Sequence, residues 1–288
     1  MRLWLTTCLV LLGHACFGDG LGHAVVTPDW TIETSEDLAN GTRGKGSYPV
    51  WQLVDRDPRT AWVYRANDYP KPKNEHRQNF AGNYWIKFEP SGSVWLDELR
   101  IRPGYQKTPS LWRKNSRPTQ IQVFDRLPME WNDAVKGWFL GKPMRTVDLA
   151  DSMDEKSVRL PKRKYAELYV VFSKIERGAV DDLCISEMMP RAGGKDVIQP
   201  LTSFMYSIGS DCGCSGAFWL TKPNGQKVAT ADYEYPRFSF SPDGRYVAGI
   251  TDADNRPPRV WVAELARGKV VWSGRIPSNE RPEELIWT

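Results

Sequence analysis

Short apolar stretches, many of them alternating with polar residues, run along most of the chain and are separated by turn residues. No segment keeps a helical spacing of apolar positions, whereas short alternating or continuously apolar runs are typical of β-strands. Strands are predicted over residues 84–88, 95–102, 119–124, 145–149, 157–161 and 165–174. The continuously apolar run at 168–172 suits a strand in the centre of a two-sheet core. This spacing predicts an all-β sandwich over residues 24–190.

A second pattern follows residue 190. Residues 191–199 are rich in glycine and polar residues and are interpreted as a linker. Trp219 and Trp261 each precede a turn glycine by six or seven residues, and the run at 238–241 recurs at 285–288. The distance between the repeated positions suits a four-stranded propeller blade. The Ser-Pro-Asp-Gly turn at 241–244 resembles that of TolB-type and WD40-like propellers. We therefore expect a partial propeller-like antiparallel β segment over 200–288.

A single blade cannot bury both of its faces. One interpretation is that the sequence stops inside a longer propeller protein, and this is the interpretation we favour. The other is that the segment packs its sheet on the first domain.

The first residues are typical of a targeting segment. Met1 and Arg2 precede an apolar stretch at 3–12 and small residues suited to cleavage, so residues 1–18 are predicted to be a signal peptide. The stretch is too short for a membrane span, and we expect no integral span elsewhere. The protein is therefore expected to be secreted or periplasmic. Lipidation at Cys16 is the weaker alternative, because the aliphatic residue usual three places earlier is absent.

Composition narrows the function classes. A formal net charge of +4 is too mild for a dedicated nucleic-acid binder. Thirteen tryptophans suit β-structure and also sugar-binding faces. Three histidines support neither a Ser-His nor a Cys-His mechanism, and 35 acidic residues give no way to choose a glycosidase pair. The chain is therefore predicted not to be an enzyme.

Three cysteines remain after the predicted cleavage: Cys184, Cys212 and Cys214. Cys212 and Cys214 are too close in sequence to pair without strain. A bridge from Cys184 to either of them would leave one thiol free, so the pairing stays open. With no histidine beside them, zinc binding is not expected.

Four motifs occur in order in the first domain. They are the acidic run beginning Leu53-Val54-Asp55, the turn Pro103-Gly104-Tyr105-Gln106-Lys107, the turn Asn115-Ser116-Arg117, and the closing run at 181–187. In order and spacing they resemble the NADase-type glycan-binding domain, a discoidin-like, galactose-binding-like jelly roll. Pro103 departs from the family, which has Asn there. The toxin's catalytic domain has no counterpart in this chain, so no NADase activity is implied.

The resemblance implies a jelly-roll sandwich that binds carbohydrate through loops at one end. Sugars offer apolar faces that stack on aromatic rings and hydroxyls that need polar partners. The predicted glycan contacts are the rings of Tyr64, Tyr105 and Trp112 and the polar groups of Lys107, Asn115 and Arg117. Trp112, between polar neighbours, is the ring expected to be most exposed. The turn at 115–117 has an alternative role, in which it hydrogen-bonds its own backbone.

Related discoidin-like modules often hold calcium between the acidic opening loop and the closing strand. The matching positions here are Asp55, Asp57, Thr60 and Glu187, and calcium favours such oxygen ligands. Arg56 and Arg59 add positive charge nearby and argue against the site. No other cofactor is expected.

The sequence therefore predicts a secreted or periplasmic, non-catalytic carbohydrate-binding protein. The alternative is a cell-envelope scaffold that docks proteins through the sandwich and the propeller-like segment. The basic run at 156–164 alternates, so it is interpreted as a solvated strand face rather than a polyanion site.

Overall fold

The computed structural model describes residues 23–35, 48–65, 84–132, 137–208, 217–232, 238–253, 256–277 and 285–287. The chain divides into two compact units. The sandwich unit is Asp29–Pro200, and the second unit combines Met1–Pro28 with Leu201–Thr288. Within the described residues nearly all regular structure is β-strand, as predicted; the exceptions are the α-helix α1 at Pro109–Lys114 and a 3-10 turn at Val50–Leu53.

The strands of the sandwich unit are β2 (Trp30–Thr34), β3 (Trp62–Arg65), β4 (Trp85–Pro90), β5 (Val94–Pro103), β6 (Asn115–Phe124), β7 (Met129–Asn132), β8 (Gly137–Leu140), β9 (Arg145–Asp148), β10 (Lys156–Tyr165), β11 (Leu168–Glu176), β12 (Val180–Ala192) and β13 (Lys195–Asp196). Those of the second unit are β1 (His23–Val26), β14 (Phe204–Ile208), β15 (Ala217–Thr221), β16 (Lys227–Asp232), β17 (Phe238–Phe240), β18 (Tyr246–Ala253), β19 (Arg256–Glu264) and β20 (Lys269–Arg275).

Two sheets form the sandwich. The first runs in the order β10, β5, β12 and β3, all antiparallel neighbours. The second runs β9, β6, β11, β4 and β2, again antiparallel. Strand β6 belongs to both, because Asn115 and Ser116 pair in parallel with β12 while residues from Arg117 onward pair with β11. The chain thus turns the corner between the sheets within one strand.

The core lies between these sheets. The continuously apolar run 168–172 is buried throughout and lies between β4 and β6, which confirms the predicted central strand. The ring of Trp62 on β3 lies 6.2 Å from that of Phe172 on β11, so side chains of the two sheets meet. Burial of such large apolar side chains supplies about 1.5–3 kcal/mol each.

The second unit contains two four-stranded antiparallel sheets, β1-β14-β15-β16 and β17-β18-β19-β20. Trp219 and Trp261 occupy the third strand of their sheets, and Gly225 and Gly268 follow with φ of 81° and 53°. The sequence repeat therefore corresponds to two sheets with the same strand order. Their interpretation as propeller blades stays a prediction.

Trp261 packs between these sheets. It donates a hydrogen bond from its indole nitrogen to the Thr230 carbonyl oxygen at 2.9 Å. A Cβ at Gly249 would lie 2.2 Å from the ring, so only glycine fits beneath it.

The boundaries of the units differ from the expected ones in two places. Strand β1 pairs with β14, through partners such as Ala24 and Ser207, and so belongs to the second unit. The predicted linker 191–199 is a β-hairpin, since β13 pairs back on β12. Gly193 and Gly194 turn this hairpin with positive φ of 56° and 78°, which explains a glycine-rich run inside a domain.

Some predictions concern residues outside the described ranges: the signal peptide at 1–18, Cys212 and Cys214. Cys184 is described, and it is a buried, free thiol. None of the helices in the described stretches has the length and apolar character needed to cross a membrane.

Candidate functional site

The turn Pro103–Thr108, which contains the predicted contacts Tyr105 and Lys107, connects β5 to α1 and is held in place by its backbone. The Gly104 nitrogen donates to the Cys184 carbonyl oxygen at 3.0 Å, and the Gln106 nitrogen donates to the Ser186 hydroxyl at 2.9 Å. Gly104 has a φ of 78°, and a Cβ there would lie 2.6 Å from Cδ1 of Trp112. Glycine is therefore required at this position both by backbone geometry and by space.

Trp112 is buried, with 9% of its surface exposed, and this corrects the expectation that its ring is open to solvent. Helix α1 begins at a cap in which the Leu111 nitrogen donates to the Thr108 hydroxyl at 3.1 Å. The helix directs Trp112 towards the sandwich and leaves Arg113 and Lys114 exposed. The Trp112 indole nitrogen donates to the Pro103 carbonyl oxygen at 3.1 Å.

The Asn-Ser-Arg turn is also engaged within the protein. Asn115 is buried, and its amide donates to the Leu111 carbonyl oxygen at 2.7 Å, which ends α1. The buried Arg117 stacks its guanidinium 4.0 Å above the Trp112 ring and forms a two-pronged ion pair with Asp151. Hydrogen bonds from Arg117 hold the pKa of Asp151 below its usual range. These contacts match the structural role that the sequence left open for this turn.

Tyr64 belongs to the core, since only 6% of it is exposed and its ring centroid lies 4.1 Å from that of Tyr84.

Of the six predicted glycan contacts, the structure leaves two accessible in one turn. Tyr105 is half-buried and meets Tyr48 edge-on at 6.1 Å, and Lys107 is exposed. Partial burial raises the pKa of the Tyr105 hydroxyl.

The four predicted calcium ligands have protein partners. Asp55 accepts from the Asp57 nitrogen at 2.9 Å and from the Thr60 hydroxyl at 2.7 Å. Burial raises the pKa of Asp55 to about 6, and hydrogen bonds from Arg59 lower that of Asp57. Burial also raises the pKa of Glu187, although Arg102 donates to it at 3.0 Å.

Arginines supply the positive charge around these acids. Four acidic residues form ion pairs with four arginines over the outer face of the first sheet. The acids are Glu98, Glu155, Glu187 and Asp196, and the arginines are Arg56, Arg100, Arg102 and Arg191. Within the described residues no group of three or more His, Cys, Asp or Glu side chains is arranged to hold a metal ion. The calcium site stays a prediction, and melting the protein with and without a chelator tests it.

One exposed aromatic of the sandwich was not among the predicted contacts. Trp95 on β5 is 52% exposed, although Val94 and Leu96 on either side gave it the context of a core strand. Leu96 is buried, so strand alternation places Trp95 on the outer face. That alternation is the sequence signal that could have identified Trp95 as an exposed ring.

No family model and no curated protein matches this chain. Among solved structures, similar chains include a CBM32 domain of CpGH89 from Clostridium perfringens in complex with GalNAc-β-1,3-galactose, at 15% identity and a TM-score of 0.34, covering 57% of this chain and 95% of that one. Another is the family 32 CBM of NanJ from C. perfringens in complex with galactose, at 12% identity and a TM-score of 0.36, covering 58% and 97%. What each of these binds is a property of that protein.

Proposed function

We propose that this chain is a non-catalytic carbohydrate-binding protein that holds a glycan at the turn Pro103–Thr108. One observation carries the proposal: an accessible aromatic ring and a free ammonium group are presented together by a turn whose backbone is anchored to β12. Tyr105 offers a ring edge already oriented by Tyr48, and Lys107 is exposed two residues later.

Preorganisation is the physical reason that this turn suits a ligand. The hydrogen bonds of Gly104 and Gln106 to Cys184 and Ser186 fix the turn before any ligand arrives. Binding then costs little ordering entropy, and the ring can take the apolar face of a sugar. The motif resemblance points to the same class of ligand.

The test is a glycan array probed with the full chain. We expect binding to a defined sugar class, lost in Tyr105→Ala and weakened in Lys107→Gln. Both variants should still fold, with a lower melting temperature in Tyr105→Ala, which loses the contact with Tyr48. Tyr105→Phe keeps the ring and should keep binding, and Lys174→Gln changes an exposed lysine elsewhere and should have no effect. A folded chain that binds no glycan, or a Tyr105→Ala variant that binds as the parent does, contradicts the proposal.

The non-catalytic role and the export of the protein are parts of the same proposal. Incubation with the bound glycan should leave its length unchanged, whereas shortened products would indicate a hydrolase. Export rests on the interpretation of residues 1–18, and the mass of the protein recovered from its host shows whether that segment is removed.

A docking scaffold is the second candidate, because strand β20 exposes Val271 and Trp272, the latter at 56%. Among the described strands β20 pairs only with β19, and an apolar edge strand is a template for pairing with another chain. If two copies pair in this way, sedimentation will show a dimer that Trp272→Lys abolishes.

A further inference from the structure

Trp95 lies at the start of β5, at the opposite end of that strand from the Tyr105 turn. Ten residues of β-strand span about 30 Å, so the two places are separate. Lys164 on β10 is the direct cross-strand partner of Trp95. Directly opposed residues have their Cβ atoms about 5 Å apart on the same face, so the Lys164 side chain leaves the sheet next to that of Trp95.

Strand β10 adds two further cations to this surface. Arg159 and Lys162 are exposed, as is Lys164, and none of the three forms an ion pair with a residue that the structure describes. By contrast, Arg163 pairs with Asp125, and Arg191 pairs with Glu98. Three unpaired positive charges thus lie on an edge strand that no further strand among the described residues covers.

We infer that Trp95, Arg159, Lys162 and Lys164, which we call the Trp95 face, form a second carbohydrate site that binds an acidic polysaccharide. The indole offers a flat apolar surface for the C–H face of a sugar ring. The cations offer partners for carboxylate or sulfate groups carried along the same polymer. This inference rests on the proposed carbohydrate-binding function and adds a ligand class and a second place of contact. It also revises the interpretation of the basic run 156–164 as only a solvated strand face.

The surroundings favour an acidic polysaccharide over a nucleic acid. Asp97 and Glu98 lie on β5 within this region, and their carboxylates reduce the ionic attraction that supplies most of the affinity for a nucleic acid. The formal net charge of the chain, +4, is also mild. A single stacking ring with spaced cations fits a polymer that has about one charge per ring unit.

The experiment measures Kd of the full chain by calorimetry for three probes: an oligogalacturonate, the same oligosaccharide after carboxyl reduction, and an oligothymidylate. We expect the acidic sugar to bind more tightly than its neutral form. Trp95→Ala should raise Kd for the acidic sugar about tenfold, as expected for one lost stacking contact. Replacing Arg159, Lys162 and Lys164 by Gln should bring that Kd to the value for the neutral sugar.

Matched controls lie in the second unit. Trp272→Ala removes a tryptophan of similar exposure, and Lys269→Gln removes an exposed lysine, so both should leave Kd within about twofold. Raising the salt concentration to about 1 M, where the Debye length is about 3 Å, should weaken the acidic probe and spare the neutral one. Tyr105→Ala should leave binding at the Trp95 face intact.

The outcomes separate this inference from the proposed function. Glycan-array binding that depends on Tyr105, together with an acidic-sugar Kd indifferent to Trp95→Ala, overturns the Trp95 face alone. No sugar binding of any kind overturns both. Oligothymidylate binding as tight as that of the acidic sugar, with the same dependence on Trp95 and the three cations, overturns the assignment to polysaccharides.

Discussion

Trp112 and Trp95 reverse what their neighbours in sequence suggest. Trp112 lies in a polar stretch beside Arg113 and is 9% exposed, whereas Trp95 lies between apolar residues in a strand and is 52% exposed. The first is covered by the Arg117 guanidinium, five residues along the chain, and lies against Gly104 in the preceding turn. The second faces outward beside an edge strand. The polarity of the neighbouring residues therefore does not decide whether either ring is exposed. The position of each ring relative to the sheets decides it.

The largest expected effect concerns the packing that covers Trp112. In Gly104→Ala the new Cβ would lie 2.6 Å from the Trp112 ring, and the alanine backbone would have to keep a φ of 78°. We therefore expect the free energy of unfolding to fall by about 3 kcal/mol or more. Gly92→Ala meets nothing within 4 Å and should change stability by less than about 0.5 kcal/mol. Chemical denaturation measures both. Equal stabilities would show that the ring is not packed as described.

Gly193→Ala separates the two causes. Its φ is 56°, and no atom lies within 4 Å of the added Cβ, so it carries only the backbone cost, about 1 kcal/mol. A loss as large as that of Gly104→Ala would assign the whole effect to backbone conformation.

Arg117 comes next, because it both covers Trp112 and pairs with Asp151. Arg117→Ala should cost about 2–3 kcal/mol of the free energy of unfolding, and Arg117→Lys, which loses the two-pronged geometry, about half of that. Since the folded-state pKa of Asp151 is depressed, the pair's contribution is present above the ordinary pKa and is lost as pH falls below it. A cycle with Asp151→Asn at pH 7 and at low pH measures the coupling, which should vanish at low pH.

Asp55 should show the opposite pH dependence. Its pKa is raised from 3.8 to about 6 by burial, so the folded state binds the proton more tightly than the unfolded chain does. Stability should therefore fall as pH rises from about 4 to 6, by about 1–2 kcal/mol after allowance for partial solvent screening. In Asp55→Asn this part of the pH profile should be flat. A parent chain whose stability rises over this window would contradict the burial of that carboxyl.

The smallest effect is expected at Trp95. Because its ring is half-exposed on an outer face, Trp95→Ala should change the free energy of unfolding by less than about 0.5 kcal/mol. Trp112→Ala, measured beside it, should cost about 3–5 kcal/mol. Similar losses for the two variants would mean that Trp95 is covered in solution.

The sequence predicted part of the strands, namely those whose patterns depend on one period. Residues 168–172 are continuously apolar, and β11 lies between two neighbours, so composition and position agree. The repeat at Trp219 and Trp261 likewise corresponds to two sheets. These features need no knowledge of distant contacts.

The candidate site was less predictable, because it depends on which side chains meet in the folded chain. Whether Trp112, Asn115 and Arg117 face a ligand depends on Gly104, Leu111 and Asp151, and a motif does not state which side chains meet. The Trp95 face depends on the register of β10 against β5, which shifts between Arg159 and Arg163. Such a shift decides which lysine stands opposite Trp95, and no periodicity in the sequence encodes it.

Strand β1 has a consequence for how the chain is synthesised. It precedes the sandwich in the sequence, yet its partner β14 follows the whole of it. During translation β1 therefore emerges ahead of the sandwich and cannot pair with β14 until the ribosome has passed residue 204, while the sandwich strands can already fold. This long-range closure raises the contact order of the second unit and slows its folding. A fusion partner placed just ahead of residue 23 would consequently perturb the second unit, which is completed after the sandwich.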